Sequence, residues 1–456
     1  MFRLVVSSLS LALLTGSVYA QTSDPAHLSL VAGYKAAFTC SAHFNAGRSV
    51  EQIAGDELHR IYGDYREAMA GLPDAVIDEE KKTVSVTYDG GARIAAWRPY
   101  LGCAQLPSGA RKDAVSKLPY IKSFWDRAAP QPLKVRLSND PDLVRIVEAA
   151  FDRETYGEGT ETTAVVVMKD GAVVAEKYRE GFDAETPQRT WSVAKSIAAT
   201  VIGAAVHDGF VDVNDPTGLE VWSSPADPRG NITLENLLHM SSGLTSPTAG
   251  NRTDDIYFGG GRVVDHAITN RLVAAPGTRW RYANNDTMGA MRALREHMND
   301  DQQYIEYPFW RVLLPLGMER TFLETDWNGD FVMSSQVWTT ARDLARIGML
   351  YLNDGVWEGE RILPKGWADY VATPAPAQPP QTRADGSQIP GYGAQFWLFG
   401  ERHGLPEGTY AAQGNRGQYL VIIPSRNVLV VRRGFDDGGG FDIEGFTADV
   451  LSALGD

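Results

Sequence analysis

The chain predicts a mixed α/β (α+β) fold, with one antiparallel sheet built from both ends of a catalytic region and a helical insertion between them. Three observations carry this expectation. Residues 163–168 and 172–178 are β-rich runs joined by Lys169-Asp170-Gly171, and Asp-Gly is a strong tight-turn signal. Residues 419–423 and 428–432 repeat the arrangement near the C-terminus, across Pro424-Ser425-Arg426-Asn427. Between the two hairpins, residues 190–370 are mostly helical in pattern, and 340–352 are the clearest case, with apolar residues at helical spacing. A closing helix follows the second hairpin, with Ile443, Phe446, Val450, Leu451 and Leu454 on one stripe.

In chain order, residues 1–20 read as a secretory leader. Arg3 supplies the positive end, residues 4–14 the apolar stretch, and Val18-Tyr19-Ala20 the small-residue cleavage site. The apolar run is too short to span a bilayer. Ser17 stands where a lipoprotein box would place its cysteine after Leu14-Thr15-Gly16, so no membrane anchor is expected. These features predict a soluble protein of the periplasm or the exterior. The 456-residue chain carries a formal charge of −14, with 43% hydrophobic and 22% charged residues. That is ordinary globular composition. The acidic balance speaks against nucleic acid or an anionic membrane as partners.

Residues 21–130 read as a separate N-terminal module, and residues 131–456 as the main domain. In the module, Ser49-Val50-Glu51-Gln52-Ile53 signals a helix start, and residues 82–88 alternate as a strand that ends at Asp89-Gly90-Gly91. Asp56, Glu57 and His59 read as a solvated helix face. Cys40 and Cys103 are the only cysteines. In an exported protein such a pair reads as a disulfide, since a metal site would need further ligands at close spacing; two free, buried cysteines are the alternative. The proline-rich stretch 372–390 is long enough for a lid or linker.

Chemistry is concentrated around Ser192-Val193-Ala194-Lys195, the head of an apolar segment that runs to Gly209. A helix apolar on every face is buried, and residues three apart share a face, so Ser192 and Lys195 would be neighbours. The bland alternative makes Ser192 an N-cap and Lys195 a solvated first-turn residue. A first-turn lysine opposes the helix dipole, however. A serine hydroxyl also needs an adjacent base to become a nucleophile at neutral pH.

Further along, Tyr282-Ala283-Asn284 lies in a loop before a helix expected over 288–298. Its phenol could relay a proton, and its amide could orient the lysine or a substrate carbonyl. Tyr351-Leu352-Asn353 fits the same pattern but reads as core and turn. Gln413-Gly414-Asn415-Arg416-Gly417-Gln418 then enters a strand with small residues that let the backbone approach a ligand. The N–H of Gln418 could pair with that of Ser192 as an oxyanion hole; a plain turn before a strand is the alternative.

Together these segments resemble the ordered motifs of the serine β-lactamase and penicillin-binding-protein superfamily. The Tyr-x-Asn form is similar to class C β-lactamases, family VIII carboxylesterases and 6-aminohexanoate-dimer hydrolases. Further likeness lies in Leu237-Leu238-His239-Met240-Ser241-Ser242-Gly243-Leu244, Pro276-Gly277-Thr278, Pro315-Leu316-Gly317-Met318 and Asn353-Asp354-Gly355-Val356-Trp357. It covers roughly residues 140–456. The resemblance implies a β-lactamase/transpeptidase-like fold without a cofactor. It also implies that Ser192 is the acylated nucleophile, Lys195 its activating partner and Tyr282 the second member of a proton relay. Asn284 and Asn415-Arg416-Gly417 align with the remaining motif positions. The family usually has Lys or His where Asn415 stands, and in β-lactamases that cation helps hold the antibiotic's carboxylate. Asn415 cannot do so; Arg416 could if it turned inward.

The expected activity is hydrolysis of esters or linear amides through an acyl-enzyme, with D-amino-acid peptides ranked second and β-lactams third. Lys195 and Tyr282 both start near pKa 10, so neither is a base at neutral pH unless perturbed; they form a coupled pair, and the sequence does not assign the base. Trp191, Trp280, Tyr392 and Trp397 are candidate pocket or core aromatics. The rivals are a Ser-His-Asp hydrolase using His239, and a non-catalytic envelope binding protein that keeps the fold. No zinc-ligand pattern is present. The oligomeric state is not legible.

Overall fold

The computed structural model describes residues 24–123, 131–246, 253–379, 381–382, 386, 388–437 and 440–455. The leader at 1–20 lies outside the described residues, as does part of the 372–390 loop.

The first described element is a long helix, α1 (Pro25–Ala46), started by Asp24 as N-cap and ended by Gly47 in the left-handed region. A short helix, α2 (Val50–Asp56), follows, with the Ser49–Gln52 capping box. Four antiparallel strands come next: β1 (Val76–Asp78), β2 (Thr83–Tyr88), β3 (Gly91–Arg98) and β4 (Gly102–Gln105). One face of α1 packs on this sheet through Ala32, Ala36 and Cys40 against Val84, Val86 and Ala95. A disulfide joins Cys40 to Cys103 across 63 residues. The opposite face, with Val31, Tyr34 and Phe38, belongs to the main hydrophobic core. The sequence pattern gave no sign of this helix, because a helix covered on two sides has no polar stripe.

Beyond residue 131 come β5 (Lys134–Val135) and helix α3 (Pro141–Ala149), followed by the hairpin β6 (Thr162–Lys169) and β7 (Ala172–Tyr178). Then come β8 (Gln188–Arg189), α4 (Val193–His207), α5 (Asn284–Met298), β9 (Phe322–Leu323), β10 (Val337–Thr339) and α6 (Ala341–Leu352). The chain closes with β11 (Gly391–Tyr392), β12 (Trp397–Leu398), β13 (Tyr410–Gly414), β14 (Gln418–Ile423), β15 (Val428–Gly434) and helix α7 (Ile443–Ala453).

Eight of these strands form one sheet, ordered β11-β12-β13-β14-β15-β6-β7-β5. The two ends of the domain meet at its centre, where β15 pairs with β6. The sheet is antiparallel except at one edge, where β5 runs parallel to β7. That is a correction to the all-antiparallel expectation, and a two-residue strand carries no pattern by which to foresee it. Strand residues alternate between two cores. Ala164, Val166, Met168, Leu420, Ile422, Leu429 and Val431 face the helical side that holds α4 and α6. Val165, Val167, Val421, Ile423, Val428 and Val430 face α3 and α7. Burial of both faces explains why these strands read as unbroken apolar runs.

Three features of the main domain place the site. A small sheet, β8-β10-β9, holds the segment just before α4 against residues 334–339. Helix α4 is buried almost throughout and ends with Gly209 in the left-handed region. Helix α5 begins at Asn284, four residues before the expected start.

Candidate active site

Ser192 is the N-cap residue of α4, yet its hydroxyl caps nothing. The preceding Trp191 has φ +50°, an unusual conformation for a bulky residue. It is held there by the Arg189 guanidinium, 3.6 Å from its ring centre and 4.1 Å from that of Phe38 in α1. Thr190 N–H donates to Val337 C=O at 2.8 Å, which locks the approach to the serine onto β10. The Ser192 N–H, by contrast, has no acceptor among the described residues.

Lys195 lies one turn on and is 1% exposed. Its Nζ is 3.0 Å from Ser192 Oγ, 2.6 Å from Asn284 Oδ1 and 2.7 Å from Ser334 C=O. Among the described residues no carboxylate pairs with it. Burial therefore pushes its pKa well below the usual lysine value. The Lys195 Nζ also sits 5.0 Å from the centre of the Tyr282 ring. Burial raises the Tyr282 phenol, and an interaction with Ser192 offsets part of that rise. So the serine, the lysine, the tyrosine and Asn284 meet at one point.

Asn284 is the first residue of α5, and the polar run after it is buried by specific partners. Asp286 accepts from Ser242 Oγ at 2.9 Å, and Thr287 Oγ1 donates to Gln395 at 2.7 Å. Gln395 in turn donates to the carbonyls of Leu237 and Leu238, while its own carbonyl accepts from Ser196 of α4. These bonds tie the 237–244 stretch, α4 and α5 into one frame. Next to them Trp280, Tyr282, Tyr392 and Trp397 form an aromatic cluster, with Tyr282 5.4 Å from Trp397 and 5.7 Å from Tyr392.

The third motif is arranged differently from expectation. Gly414 at the end of β13 is the residue against Ser192: a Cβ on it would lie 2.3 Å from Thr190 O and 3.1 Å from Ser192 N. Gln418 lies across the ladder from Gly414, and its side chain is committed to Arg433 at 2.7 Å. Asn415 is exposed, and its Oδ1 accepts from the Arg416 N–H. The Asn415 N–H has no acceptor among the described residues. Arg416 does not turn inward. Its guanidinium donates to Asp56 O at 2.9 Å and His59 O at 3.3 Å in the N-terminal module. Gly417 is constrained by the Arg432–Asp436 ion pair, which a Cβ there would strike. Of the expected solvated face only His59 is exposed; Asp56 and Glu57 are not. Glu57 is 4% exposed, and Asp56 binds Arg48 and Arg179.

The rivals fare poorly in the geometry. His239 is buried, with its pKa lowered to about 4; its nearest carboxylate is Glu235 at 4.0 Å, and its Nε2 has no partner among the described residues. Tyr351 donates to or accepts from Thr200 at 3.0 Å within the core. Among the described residues no group of acidic, histidine or cysteine side chains could hold a metal, and no helix is long and apolar enough to cross a membrane. Ser334 escaped the sequence reading because it acts through its carbonyl, which any residue could supply.

Comparison with known proteins agrees with the fold. Residues 147–432 match the family model described as Beta-lactamase. Over 297 residues the chain is 26% identical to a 6-aminohexanoate-dimer hydrolase of Paenarthrobacter ureafaciens, covering 62% of this chain and 74% of the relative. A family VIII carboxylesterase structure superposes with TM-score 0.55 at 14% identity, over 70% of this chain and 97% of the other. A penicillin-binding protein homologue from Pyrococcus abyssi gives TM-score 0.53 at 20% identity, over 70% and 78%. Residues 1–146 lie outside the family match.

Proposed function

Because the chain belongs to the Beta-lactamase family, a family of hydrolases with amidase and esterase relatives, we propose that it hydrolyses esters or linear amides through an acyl-enzyme on Ser192. The observation that carries this reading is the environment of the Lys195 amine. A neutral amine has two N–H donors and one lone pair. Asn284 Oδ1 and Ser334 C=O can only accept, so they take both donors. The lone pair is then left for the Ser192 hydroxyl. Lys195 is accordingly the base, and Tyr282, kept as a phenol by burial, is the proton donor.

In the proposed cycle, Ser192 Oγ bonds to the substrate carbonyl carbon as its proton passes to Lys195. The oxyanion that forms is met by the N–H of Ser192 and, beside Gly414, by the N–H of Asn415 rather than that of Gln418. The carbonyl-to-leaving-group bond then breaks, and the departing oxygen or nitrogen takes a proton from Tyr282, which Lys195 replaces. Water repeats the sequence on the acyl-enzyme and releases the acid.

Esters and linear amides rank above D-amino-acid peptides and β-lactams because the motif offers no cation to a substrate carboxylate. Asn415 is neutral, and Arg416 is bound to module carbonyls. The leader pattern and the Cys40–Cys103 disulfide support export to an oxidising compartment. The decisive experiment is labelling with a fluorophosphonate probe beside turnover of p-nitrophenyl butyrate and a linear amide dimer. Wild type should be labelled at Ser192 and turn over, and Ser192→Ala should do neither. Full turnover by folded Ser192→Ala would overturn the proposal.

A further inference from the structure

The N-terminal module reaches the reaction centre. A half-open cavity of about 120 Å³ lies between it and the main domain, lined by Arg60, Ile61 and Tyr62 on the module side and by Trp191, Asn415, Arg416 and the carboxylates Asp436 and Asp437 on the other. Trp191 precedes Ser192, and Asn415 follows the glycine that backs onto the Ser192 amide. The cavity is therefore lined by the chain neighbours of Ser192 and Gly414. Tyr62 is half-buried, 6.0 Å from the Tyr34 ring and 5.7 Å from the Tyr65 ring. Its phenol is close enough to Tyr257 and Arg189 to perturb both. Tyr257 in turn is 2.7 Å from Ser334 Oγ, whose carbonyl holds Lys195.

We propose that this module forms the acyl-side wall of the cleft and that Tyr62, facing the same cavity as Trp191, sets how large an acyl group the enzyme accepts. The inference rests on the acyl-enzyme reading and deepens it. Tyr282 gives its proton to the leaving group, so the leaving group lies over the cluster of Trp280, Tyr392 and Trp397. The acyl portion is then directed away from that cluster, toward Trp191 and the module.

The wall is fixed in place by several independent ties. Arg416 donates to Asp56 O and His59 O, Arg179 pairs with Asp56 at 2.6 Å, and Ser41 donates to Glu324 at 2.6 Å. Gly33 of α1 lies so close to Phe258 that an added Cβ would meet its carbonyl oxygen at 2.0 Å. A module held this firmly acts as a boundary for a bound acyl chain and does not swing aside.

The test compares p-nitrophenyl acetate and p-nitrophenyl octanoate on the full-length protein, reading the octanoate-to-acetate ratio of kcat/KM. Tyr62→Ala should raise that ratio at least tenfold, and Tyr62→Trp should lower it at least threefold, with folding verified by near-ultraviolet circular dichroism. The second variant preserves the test should the first fail to fold. Ratios that move less than twofold in folded variants of an active enzyme overturn the wall alone. A wild type with no turnover of any ester or amide overturns the acyl-enzyme reading, and the wall with it.

Discussion

Lys195 illustrates how a residue's surroundings decide its protonation state. Burial, with no carboxylate nearby among the described residues, holds the Lys195 pKa well below the usual lysine value although Asn284 Oδ1 and Ser334 C=O accept from its N–H groups. Lys195→Met should therefore lower kcat/KM by about 10²–10⁴-fold, the usual range for a general base. The pH dependence follows from the sign of the shift. Below the depressed lysine pKa the lone pair is protonated, so kcat/KM falls on the acid side and rises to a plateau as pH increases; a profile with no acid limb down to the pH at which the protein unfolds would contradict this. Tyr282→Phe should slow amide hydrolysis more than hydrolysis of p-nitrophenyl esters, because p-nitrophenolate departs without a proton. Equal losses on both substrates would remove Tyr282 from the relay. Ser192, Lys195 and Tyr282 were legible as residue types at motif spacing, and Asn284 followed from the same motif. The Ser334 carbonyl and the Asn415 amide were not legible, since backbone groups leave no trace in side-chain identity.

Among the elements, the tip of strand β13 is the most tightly constrained. Gly414→Ala would drive a methyl group against Thr190 O and Ser192 N, shifting the strand edge from the nucleophile. Loss of most activity with an unchanged far-ultraviolet spectrum is expected; near-normal turnover would show that this edge can retreat. The disulfide that ties α1 to β4 closes a loop of 63 residues and is worth about 3–5 kcal/mol. Reduction should lower the thermal midpoint and expose the module to protease first. Both hairpins of the large sheet were legible because a turn signal flanked by β-branched residues admits few other readings. The start of α5 was not, because Asn284, Asn285, Asp286 and Thr287 read as loop until Ser242 and Gln395 supply partners. The same holds for Arg416, whose direction depends on carbonyls contributed some 360 residues earlier in the chain.

Across the whole molecule, buried carboxyl groups link stability to pH. Burial raises Glu57, Asp286, Glu324 and Asp343 each to about 7, against about 4 in the unfolded chain. The native state thus holds protons that the unfolded state has released between those values. The stability these groups contribute is complete below pH 4 and is lost as pH rises through 7. The thermal midpoint should be higher at pH 5.5 than at pH 8.5, and the reverse order would show that these groups ionise freely in the native state. The mixed fold and its assembly from both chain ends were legible, because each hairpin is local. How the N-terminal module joins the core was not, because α1 buries two faces and so lacks the periodicity that marks a helix. The centre of the sheet carries a consequence for biosynthesis. Asn427 donates to Asp170 across 257 positions of sequence, at the seam where β15 meets β6. Such distant pairing is slow to form, and here it must wait until nearly all of the polypeptide has left the ribosome. Until then the β6 edge is an unpaired strand edge, open to the wrong partners.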